Sequence, residues 1–528
     1  MKLYFTIFQL LVFICILYPH NYVCAAITTP KIFSDNMVLQ REKPVPVWGW
    51  AGAGDKITVE FAGQRKETTA GADGRWEIRL DPMPACKEGG VLTITGNGKD
   101  VLKFSDVVVG EVWICSGQSN MAFGLGNAEG AQKDIEVADL PGLRLFQAFN
   151  ITSSSPKNDL RGRAWTVCSS QTAGGWTAVG FYFGRRLVAE LGVPVGLISA
   201  AWGGTRIEPW TPMEAFDTVP ELSEYIGAFR KDVQAHRETL PEKINAIEQW
   251  LLSARKAVAA NEALPLEPDW PVYPGRENFH PAAIYNAMLH PLVPYAIRGA
   301  IWYQGEANAS DPGFLYYHKL RALIGGWRHA WGQGDFSFYL AQLANYKRDS
   351  KRPEGGEGWA NLHNNQLNAL AITNTGMSVT IDIGDANDIH PRNKFDVGER
   401  LAQWALALDY GKTNIVASGP LYRDMKVENN RIRILFDYPG GGLMVGEKTG
   451  RGPVRDVKNG KLQRFAIAGE DNKWFWADAV IEGDTVLVSS PDVPKPVAVR
   501  YAYSGNPEGC NLYNRAGLPA SPFRTDKW

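Results

Sequence analysis

The feature that most constrains the fold is an alternation of short apolar runs with longer helical patterns across residues 105–412. The apolar runs have the length of buried strands, and the segments between them place apolar residues at helical spacing. Strands that alternate with helices in this way are typical of a largely parallel sheet covered by helices. We therefore predict an α/β domain at 105–412, with strands at 107–115, 195–200, 299–303, 336–343 and 377–382.

Two flanking regions show a different pattern. Residues 26–104 consist of short runs in which apolar and polar residues alternate between turn-forming residues, which predicts a small β-sandwich domain. The alternation returns in residues 413–528, where Asn429 and Asn430 mark a hairpin turn in a predicted β-rich domain. A charged stretch at about 213–265 predicts a helical insertion into the α/β domain.

Residues 1–25 have the pattern of a secretory signal peptide. Lys2 precedes an apolar run from Leu3 to Tyr18, and Val23-Cys24-Ala25 fits a cleavage site. The run is shorter than the ~20 apolar residues that a spanning helix needs. We therefore predict an exported product, periplasmic or secreted, with no stable membrane insertion after signal removal.

Charge and cysteine spacing exclude other classes of protein. The chain has 528 residues, and 55 Lys and Arg against 56 Asp and Glu give a formal net charge of -1. No overall field therefore attracts nucleic acid, and we predict no nucleic-acid partner. The cysteines of the exported product are too far apart for a metal or redox motif; they are Cys86, Cys115, Cys168 and Cys510.

Residues that can do chemistry follow the predicted strands. Ligands of open α/β sheets bind beyond the carboxyl ends of the strands. Each of four strand ends carries a polar or glycine-rich turn. These turns contain Ser119 after the first strand, Gly203 and Gly204 after the second, Gln304 and Glu306 after the third, and His390 after the fifth.

Together these residues suit acyl transfer. A serine hydroxyl needs a base within hydrogen-bond reach and a third group that orients the base. Ser119 and His390 supply the first two, and backbone N–H groups of Ser119, Gly203 or Gly204 with the Gln304 amide supply candidate oxyanion donors. The G-x-S-x-G elbow of α/β-hydrolases is absent because Met121 replaces its last glycine.

Four motif blocks now permit a comparison with a known family. Residues 117–121 (GQSNM), 202–205 (WGGT), 302–306 (WYQGE) and 388–391 (DIHP) resemble, in order, the blocks of the sialate O-acetylesterase family of SGNH hydrolases. The resemblance extends over nearly the whole chain. It implies a flavodoxin-like three-layer α/β/α domain with β-sandwich additions, no metal or other cofactor, and removal of acetyl groups from an acetylated carbohydrate.

The resemblance also implies roles for individual residues. By this resemblance, Ser119 corresponds to the family's nucleophile and His390 to its general base. Gly203, Gly204 and Gln304 correspond to its oxyanion donors. The third triad member stays open, because Asn387 stands where the wider SGNH pattern has an aspartate. The candidates, in order, are Asp388, Glu306 and Asp385.

Substrate choice also stays open. Arg206 is a candidate partner for a sialic-acid carboxylate or a member of a structural ion pair, and Trp202, Trp210 and Trp302 are either sugar-stacking or core residues. Acetylated sialic acid is the first expectation, and plant polysaccharide such as xylan or xyloglucan is the second. Two other classes remain: a non-catalytic carbohydrate-binding protein, and a glycosidase that uses Glu306 and Asp388.

Overall fold

The computed structural model describes residues 26–275 and 277–528. The predicted signal peptide at residues 1–25 lies outside these residues. Across the two described ranges, no helix combines the length and the apolar character needed to cross a membrane. The described chain forms two compact units, one of residues 26–29, 47–80 and 92–103, and the other of residues 30–46, 81–91 and 104–528.

Short strands form the N-terminal part, as the alternating pattern predicts. Strand β3 (Lys56–Phe61) pairs in antiparallel fashion with β4 (Gln64–Thr69) and β6 (Cys86–Gly96). In β3 the buried residues Ile57, Val59 and Phe61 alternate with more exposed ones, so one face of the strand carries the apolar contacts. The strands are β1 (Val38–Gln40), β2 (Val45–Trp50), β3 (Lys56–Phe61), β4 (Gln64–Thr69), β5 (Arg75–Leu80) and β6 (Cys86–Gly96).

A mostly parallel sheet organises the second unit and confirms the predicted α/β class. Its strands are β7 (Asp100–Gly117), β8 (Leu140–Ala148), β9 (Gly162–Cys168), β10 (Val195–Ala201), β11 (Gly299–Tyr303), β12 (Ser337–Ala341) and β13 (Thr375–Ser378). The strand order is β13-β12-β11-β7-β10-β8-β9, and β9 is antiparallel to β8. Four of the five predicted strands are present, and the fifth, predicted at 377–382, overlaps β13 only at residues 377 and 378. β8 and β9 were not predicted.

The order of the sheet creates one switch point. From β7 the chain forms β8, β9 and β10 on one side of β7, and it then crosses to form β11 on the other side. β7 therefore lies between β10 and β11. Gly117 at the end of β7 aligns with Ala201 of β10 and Tyr303 of β11. The crevice beyond these ends is where ligands bind in open α/β sheets.

Helices cover both faces of the sheet. Neighbouring residues of a strand point to opposite faces. In β12, Phe338 contacts the ring of Trp327, and Tyr339 stacks at 6.4 Å from Trp404 on the other face. These two tryptophans lie in α5 and α7, so the domain has three layers. The helices are α1 (Ser119–Ala122), α2 (Ala131–Glu136), α3 (Ala178–Leu191), α4 (Ser223–Ala260), α5 (Leu315–Trp331), α6 (Gly358–Asn368) and α7 (Lys394–Leu408).

The charged stretch predicted as a helical insertion is α4, preceded by short 3-10 turns at Met213–Thr218 and Pro220–Leu222. α4 has 38 residues, of which Ile226, Ala254 and Ala257 are buried. Its remaining surface is mainly polar, which explains the charged composition of this segment.

The C-terminal part consists of β-strands that share one apolar core. β15 and β21 belong to one four-stranded sheet and β18 and β22 to another, and buried residues of both sheets form a single cluster. The hairpin predicted at Asn429 and Asn430 joins β14 to β15. The strands are β14 (Leu421–Glu428), β15 (Arg431–Asp437), β16 (Leu443–Glu447), β17 (Arg455–Asp456), β18 (Phe465–Gly469), β19 (Trp474–Trp476), β20 (Asp478–Glu482), β21 (Thr485–Ser489), β22 (Pro496–Tyr501), β23 (Leu512–Asn514) and β24 (Phe523–Arg524).

Candidate active site

The turn between β7 and α1 sets the position of Ser119. Gly117 has a φ of +140°, and a Cβ atom there would lie 2.2 Å from the carbonyl oxygen of Tyr303. The Gln118 N–H donates to that same carbonyl at 3.0 Å, which ties the turn to the end of β11. Only glycine fits such a close approach of two backbones, so the chain leaves the sheet sharply and α1 begins at Ser119.

Ser119 and His390 are in contact although 271 positions separate them in the sequence. The Oγ atom of Ser119 lies 2.8 Å from Nε2 of His390, within hydrogen-bond distance. Both side chains are partly exposed, so a substrate can reach them. The structure therefore brings together the hydroxyl and the imidazole that the sequence analysis paired.

The loop that carries His390 is held at both ends. The Gly384 N–H donates to the side-chain oxygen of Asn345 at 2.7 Å, and the Glu129 N–H donates to the carbonyl of Arg392 at 2.9 Å. These bonds fix the backbone on either side of His390. The loop that carries the imidazole is thus tied to the segments that follow β12 and α1.

Asp388 lies beside the second nitrogen of His390. Its Oδ1 atom is 3.6 Å from Nδ1 of His390 and accepts the backbone N–H of His390 at 2.8 Å. The first distance is an ion-pair distance and is longer than a hydrogen bond. Asp385, the third candidate, is exposed and accepts the Asn387 N–H at 2.8 Å.

Glu306 belongs to a buried network behind the same pair. The Asn120 side-chain amide donates to Oε1 of Glu306 and, at 3.0 Å, to the carbonyl of Ile389. The Oε2 atom of Glu306 is buried and has no hydrogen-bond partner among the described residues. Burial raises the pKa of Glu306, and the Asn120 hydrogen bond opposes that shift.

Lys394 completes this network, although no sequence motif marks it as a site residue. Its Nζ atom donates to the side-chain oxygen of Asn120 and lies 4.9 Å from the ring centre of Phe123. The side chain is fully buried, which lowers the pKa of Lys394 to about 7, while the carboxylates of Glu306 and Asp388 oppose the shift. The sequence signal that could have identified Lys394 as a site residue is its position four residues after His390, at the start of α7.

The candidate oxyanion donors differ in their access to Ser119. A Cβ atom built on Gly203 would lie 3.4 Å from Cβ of Ser119, and Gly203 and Gly204 are both exposed. Their N–H groups donate no hydrogen bond within the described chain. Gly204 has a φ of +75°, which favours glycine at this turn. These two amides remain available to a substrate.

The side-chain amide of Gln304, unlike the N–H groups of Gly203 and Gly204, is already hydrogen-bonded within the protein. Its side chain is fully buried, and its Nε2 atom lies within 3.2 Å of three acceptors: Oε1 of Gln118, the Thr205 carbonyl and Oδ1 of Asn308. These contacts hold three of the site's turns together. The structure therefore gives Gln304 a supporting position beneath the site, and its role as an oxyanion donor stays a prediction.

Arg206 is engaged in a balanced cluster of charges. Its guanidinium contacts Asp311 at 2.6 Å and Glu208 at 3.1 Å, and Lys319 contacts the same two carboxylates. This arrangement corresponds to the structural ion pair weighed from the sequence. Binding of a substrate carboxylate by Arg206 stays a prediction.

Of the three tryptophans considered for sugar stacking, only Trp202 is partly exposed. Trp210 and Trp302 are buried and pack edge to face, with ring centres 6.0 Å apart. They are core residues, so the stacking interpretation is wrong for these two. The structure leaves Trp202 as the one candidate of the three.

A serine–histidine contact at the carboxyl edge of a three-layer α/β sheet is an arrangement that suits ester hydrolysis. The sequence profile of the family described as "Carbohydrate esterase, sialic acid-specific acetylesterase" matches residues 109–247 and 276–407. The chain belongs to this carbohydrate esterase family, and it is a carboxylic ester hydrolase that acts on carbohydrates.

Relatives of known name agree with this assignment. The chain is 29% identical to the sialate O-acetylesterase of Rattus norvegicus over 542 residues, which cover 93% of each chain. It is 26% identical to that of Homo sapiens over 548 residues, covering 93% of this chain and 91% of the relative. A carbohydrate acetylesterase from Xanthomonas citri has a similar structure, with 36% identity, a TM-score of 0.77, and coverage of 95% of this chain and 100% of that one.

We expect Lys394→Met to lower kcat for an aryl acetate by up to about 100-fold, with a smaller change in KM, because displaced reacting groups cost rate. The methionine removes the donor that fixes the Asn120 amide and, through it, the Ile389 carbonyl next to His390. Steady-state kinetics measure the effect. Lys448→Met is the matched control, since its buried ammonium pairs with Asp396 outside the Asn120 network. Equal loss of kcat in both variants would contradict a positioning role for Lys394.

Proposed function

We propose that the protein is an exported serine esterase that removes O-acetyl groups from acetylated sialic acids through an acetyl-serine intermediate. The observation that carries the proposal is the 2.8 Å contact between Ser119 and His390 at the switch point of the sheet. The family and its sialate O-acetylesterase relatives support the substrate. Export rests on the signal-peptide pattern of residues 1–25.

The first half of the proposed reaction forms the acetyl-enzyme. Nε2 of His390 takes the Ser119 proton as Oγ attacks the acetyl carbonyl carbon. The negative charge on the carbonyl oxygen is stabilised by the free N–H groups of Gly203 and Gly204 with that of Ser119. When the tetrahedral intermediate collapses, His390 returns the proton to the departing sugar oxygen, and the acetyl group stays on Oγ.

The second half releases acetate. A water molecule gives its proton to Nε2 of His390 and attacks the acetyl carbon, and the same N–H groups receive the charge. The intermediate then expels Oγ of Ser119, which regains the proton from the imidazolium. The products are acetate and the free sugar hydroxyl, and the enzyme returns to its starting state.

Two carboxylates can stabilise the imidazolium in this scheme. Asp388 is our first choice because it faces Nδ1 of His390 at 3.6 Å. Glu306 is the second choice because Asn120 joins it to the backbone next to His390, and its Oε2 atom has no other partner in the described chain. Burial raises the pKa of Glu306, so its negative charge is less available at low pH than that of an exposed acid.

We expect Ser119→Ala to lower hydrolysis of 4-nitrophenyl acetate by at least about 1000-fold, because no nucleophile remains. Release of 4-nitrophenolate measures the rate. Ser116→Ala, three residues earlier in β7, is the control, because Ser116 is fully buried and should leave the rate nearly unchanged. Full activity of Ser119→Ala with a native circular dichroism spectrum would end the proposed mechanism.

A comparison of Asp388→Asn with Glu306→Gln assigns the orienting acid. Loss of the acid that stabilises the imidazolium is expected to cost up to about 10,000-fold in kcat. We expect the larger loss in Asp388→Asn, measured as kcat for an aryl acetate across pH 5 to 9. A larger loss in Glu306→Gln would assign the role to Glu306 instead. Wild-type kcat in both would show that neither residue orients His390.

A second candidate substrate is an acetylated polysaccharide such as xylan or xyloglucan. It is favoured by the 36% identity to a carbohydrate acetylesterase whose name does not specify sialic acid. Acetate release from acetylated sialic acids, xylan and xyloglucan fragments distinguishes the two candidates. The same panel addresses the other classes: chain cleavage would indicate a glycosidase, and binding without acetate release would indicate a non-catalytic protein.

We also propose that the domains follow the sequence boundaries, with a β-domain at 26–104, the hydrolase domain at 105–412 and a β-rich domain at 413–528. The shared apolar core of the C-terminal sheets supports the last of these. The strand-and-helix pattern that begins with β7 and ends with α7 supports the second.

A further inference from the structure

A cavity of about 700 Å³ lies beside Glu306. This volume is in the range of small-ligand sites. The cavity is lined by Glu306 together with two cations, an aromatic pair and a second carboxylate. These residues are Lys347, Arg348, Tyr346, Trp359 and Glu357.

The cavity adjoins the catalytic pair through two connections. Glu306, which lines the cavity, accepts a hydrogen bond from Asn120, the residue after Ser119. On the other side, the Lys347 N–H donates to the Ala386 carbonyl at 3.1 Å, within the loop that leads to His390. Hydrogen bonds therefore join the walls of the cavity to the turn that carries Ser119 and to the loop that carries His390.

The two cations of the cavity are unpaired. Both side chains are exposed, and neither the Lys347 ammonium nor the Arg348 guanidinium has an ion pair or hydrogen bond within the described residues. Nearby cations are paired: Lys351 and Arg464 both contact Asp349. In this segment the charges left without a counterion are the ones that face the cavity.

The backbone holds Lys347 in an unusual conformation. Its φ is +75°, in the left-handed region that a lysine rarely adopts. The Asn506 side chain donates to the Lys347 carbonyl at 2.8 Å and, with the bond to Ala386, keeps the residue there. Left-handed residues held by their surroundings concentrate at ligand sites.

The other walls suit a sugar. Tyr346 and Trp359 have ring centres 5.3 Å apart and provide an apolar surface for the C–H face of a sugar ring. Glu357 accepts the Gly505 N–H at 3.2 Å through one oxygen, which leaves its other oxygen to accept sugar hydroxyls.

We propose that this cavity is the subsite that binds the carboxylate of an acidic sugar, with Arg348 as the main contact and Lys347 as the second cation. Arg348 can hold a carboxylate with two parallel N–H donors, which a neutral acetylated sugar cannot match. This inference rests on the proposed function and deepens it, because it names the residues that favour acidic over neutral substrates.

The test measures inhibition of 4-nitrophenyl acetate hydrolysis by N-acetylneuraminate in the full-length mature protein. We expect Arg348→Gln to raise Ki about tenfold or more, since a charge-assisted contact of this kind is lost. Turnover of the neutral aryl ester should change less than twofold. Lys347→Asn is a second variant, because asparagine tolerates the left-handed conformation, and it should raise Ki in the same direction.

Two controls make the result specific to the cavity. Arg352→Gln removes an exposed arginine of the same segment that pairs with Glu354 outside the cavity, and its Ki should equal that of the wild type. The methyl ester of N-acetylneuraminate should inhibit more weakly than the acid and should not respond to Arg348→Gln. An unchanged Ki in both Arg348→Gln and Lys347→Asn, or equal inhibition by acid and ester, would overturn the proposal.

A direct binding measurement tests the proposed subsite independently of the proposed hydrolytic reaction. Saturation-transfer NMR with the Ser119→Ala variant detects binding of N-acetylneuraminate when the proposed nucleophile is absent. Binding that is lost on adding Arg348→Gln supports the subsite even if the nucleophile is a different residue. Absence of binding, with hydrolysis of acetylated sugars intact in the wild type, refutes the subsite and leaves the esterase function standing.

Discussion

The placement of β7 between β10 and β11 is the constraint on which the site depends. Parallel strands deliver their carboxyl ends to one edge, and the change of direction at β7 opens a crevice there. Gly117 then lets the turn approach the Tyr303 backbone more closely than any side chain would permit. Ser119, the glycines after β10 and the residues after β11 converge because of this geometry.

Behind the site, the buried side chains of Lys394 and Glu306 are connected through the side-chain amide of Asn120. Lys394 donates to one end of the Asn120 side chain, and the other end donates to Glu306 and to the Ile389 carbonyl. Burial disfavours the charged forms of both the lysine and the glutamate, and their mutual attraction opposes this effect. The bridge joins the turn that carries Ser119, the turn after β11 and the loop that carries His390 into one unit.

Sequence patterns indicated most of the central strands and the residues that gather at the candidate site for a physical reason. Buried parallel strands are apolar throughout, so β7, β10 and β11 are visible, and the residues that follow them must lie at the site. β8 was missed because Pro141, Gly142 and Arg144 interrupt its apolar run.

Partners of buried polar groups were the part that could not be predicted. Gln304 meets Gln118 across 186 positions, and Lys394 meets Asn120 across 274. No periodicity links such residues, so the sequence does not indicate that the Gln304 amide is engaged or that a lysine is enclosed. The pairing of Arg206 with Asp311, 105 positions away, has the same origin.

The long separation of Ser119 and His390 along the chain has a consequence for synthesis. The hydroxyl is made early, whereas the imidazole follows only after every strand of the sheet from β7 to β13. Under the proposed mechanism, an unfinished or still unfolded polypeptide has no means of cleaving esters. Esterase activity by this route therefore begins only when the segment after β13 has been made and has folded against α1.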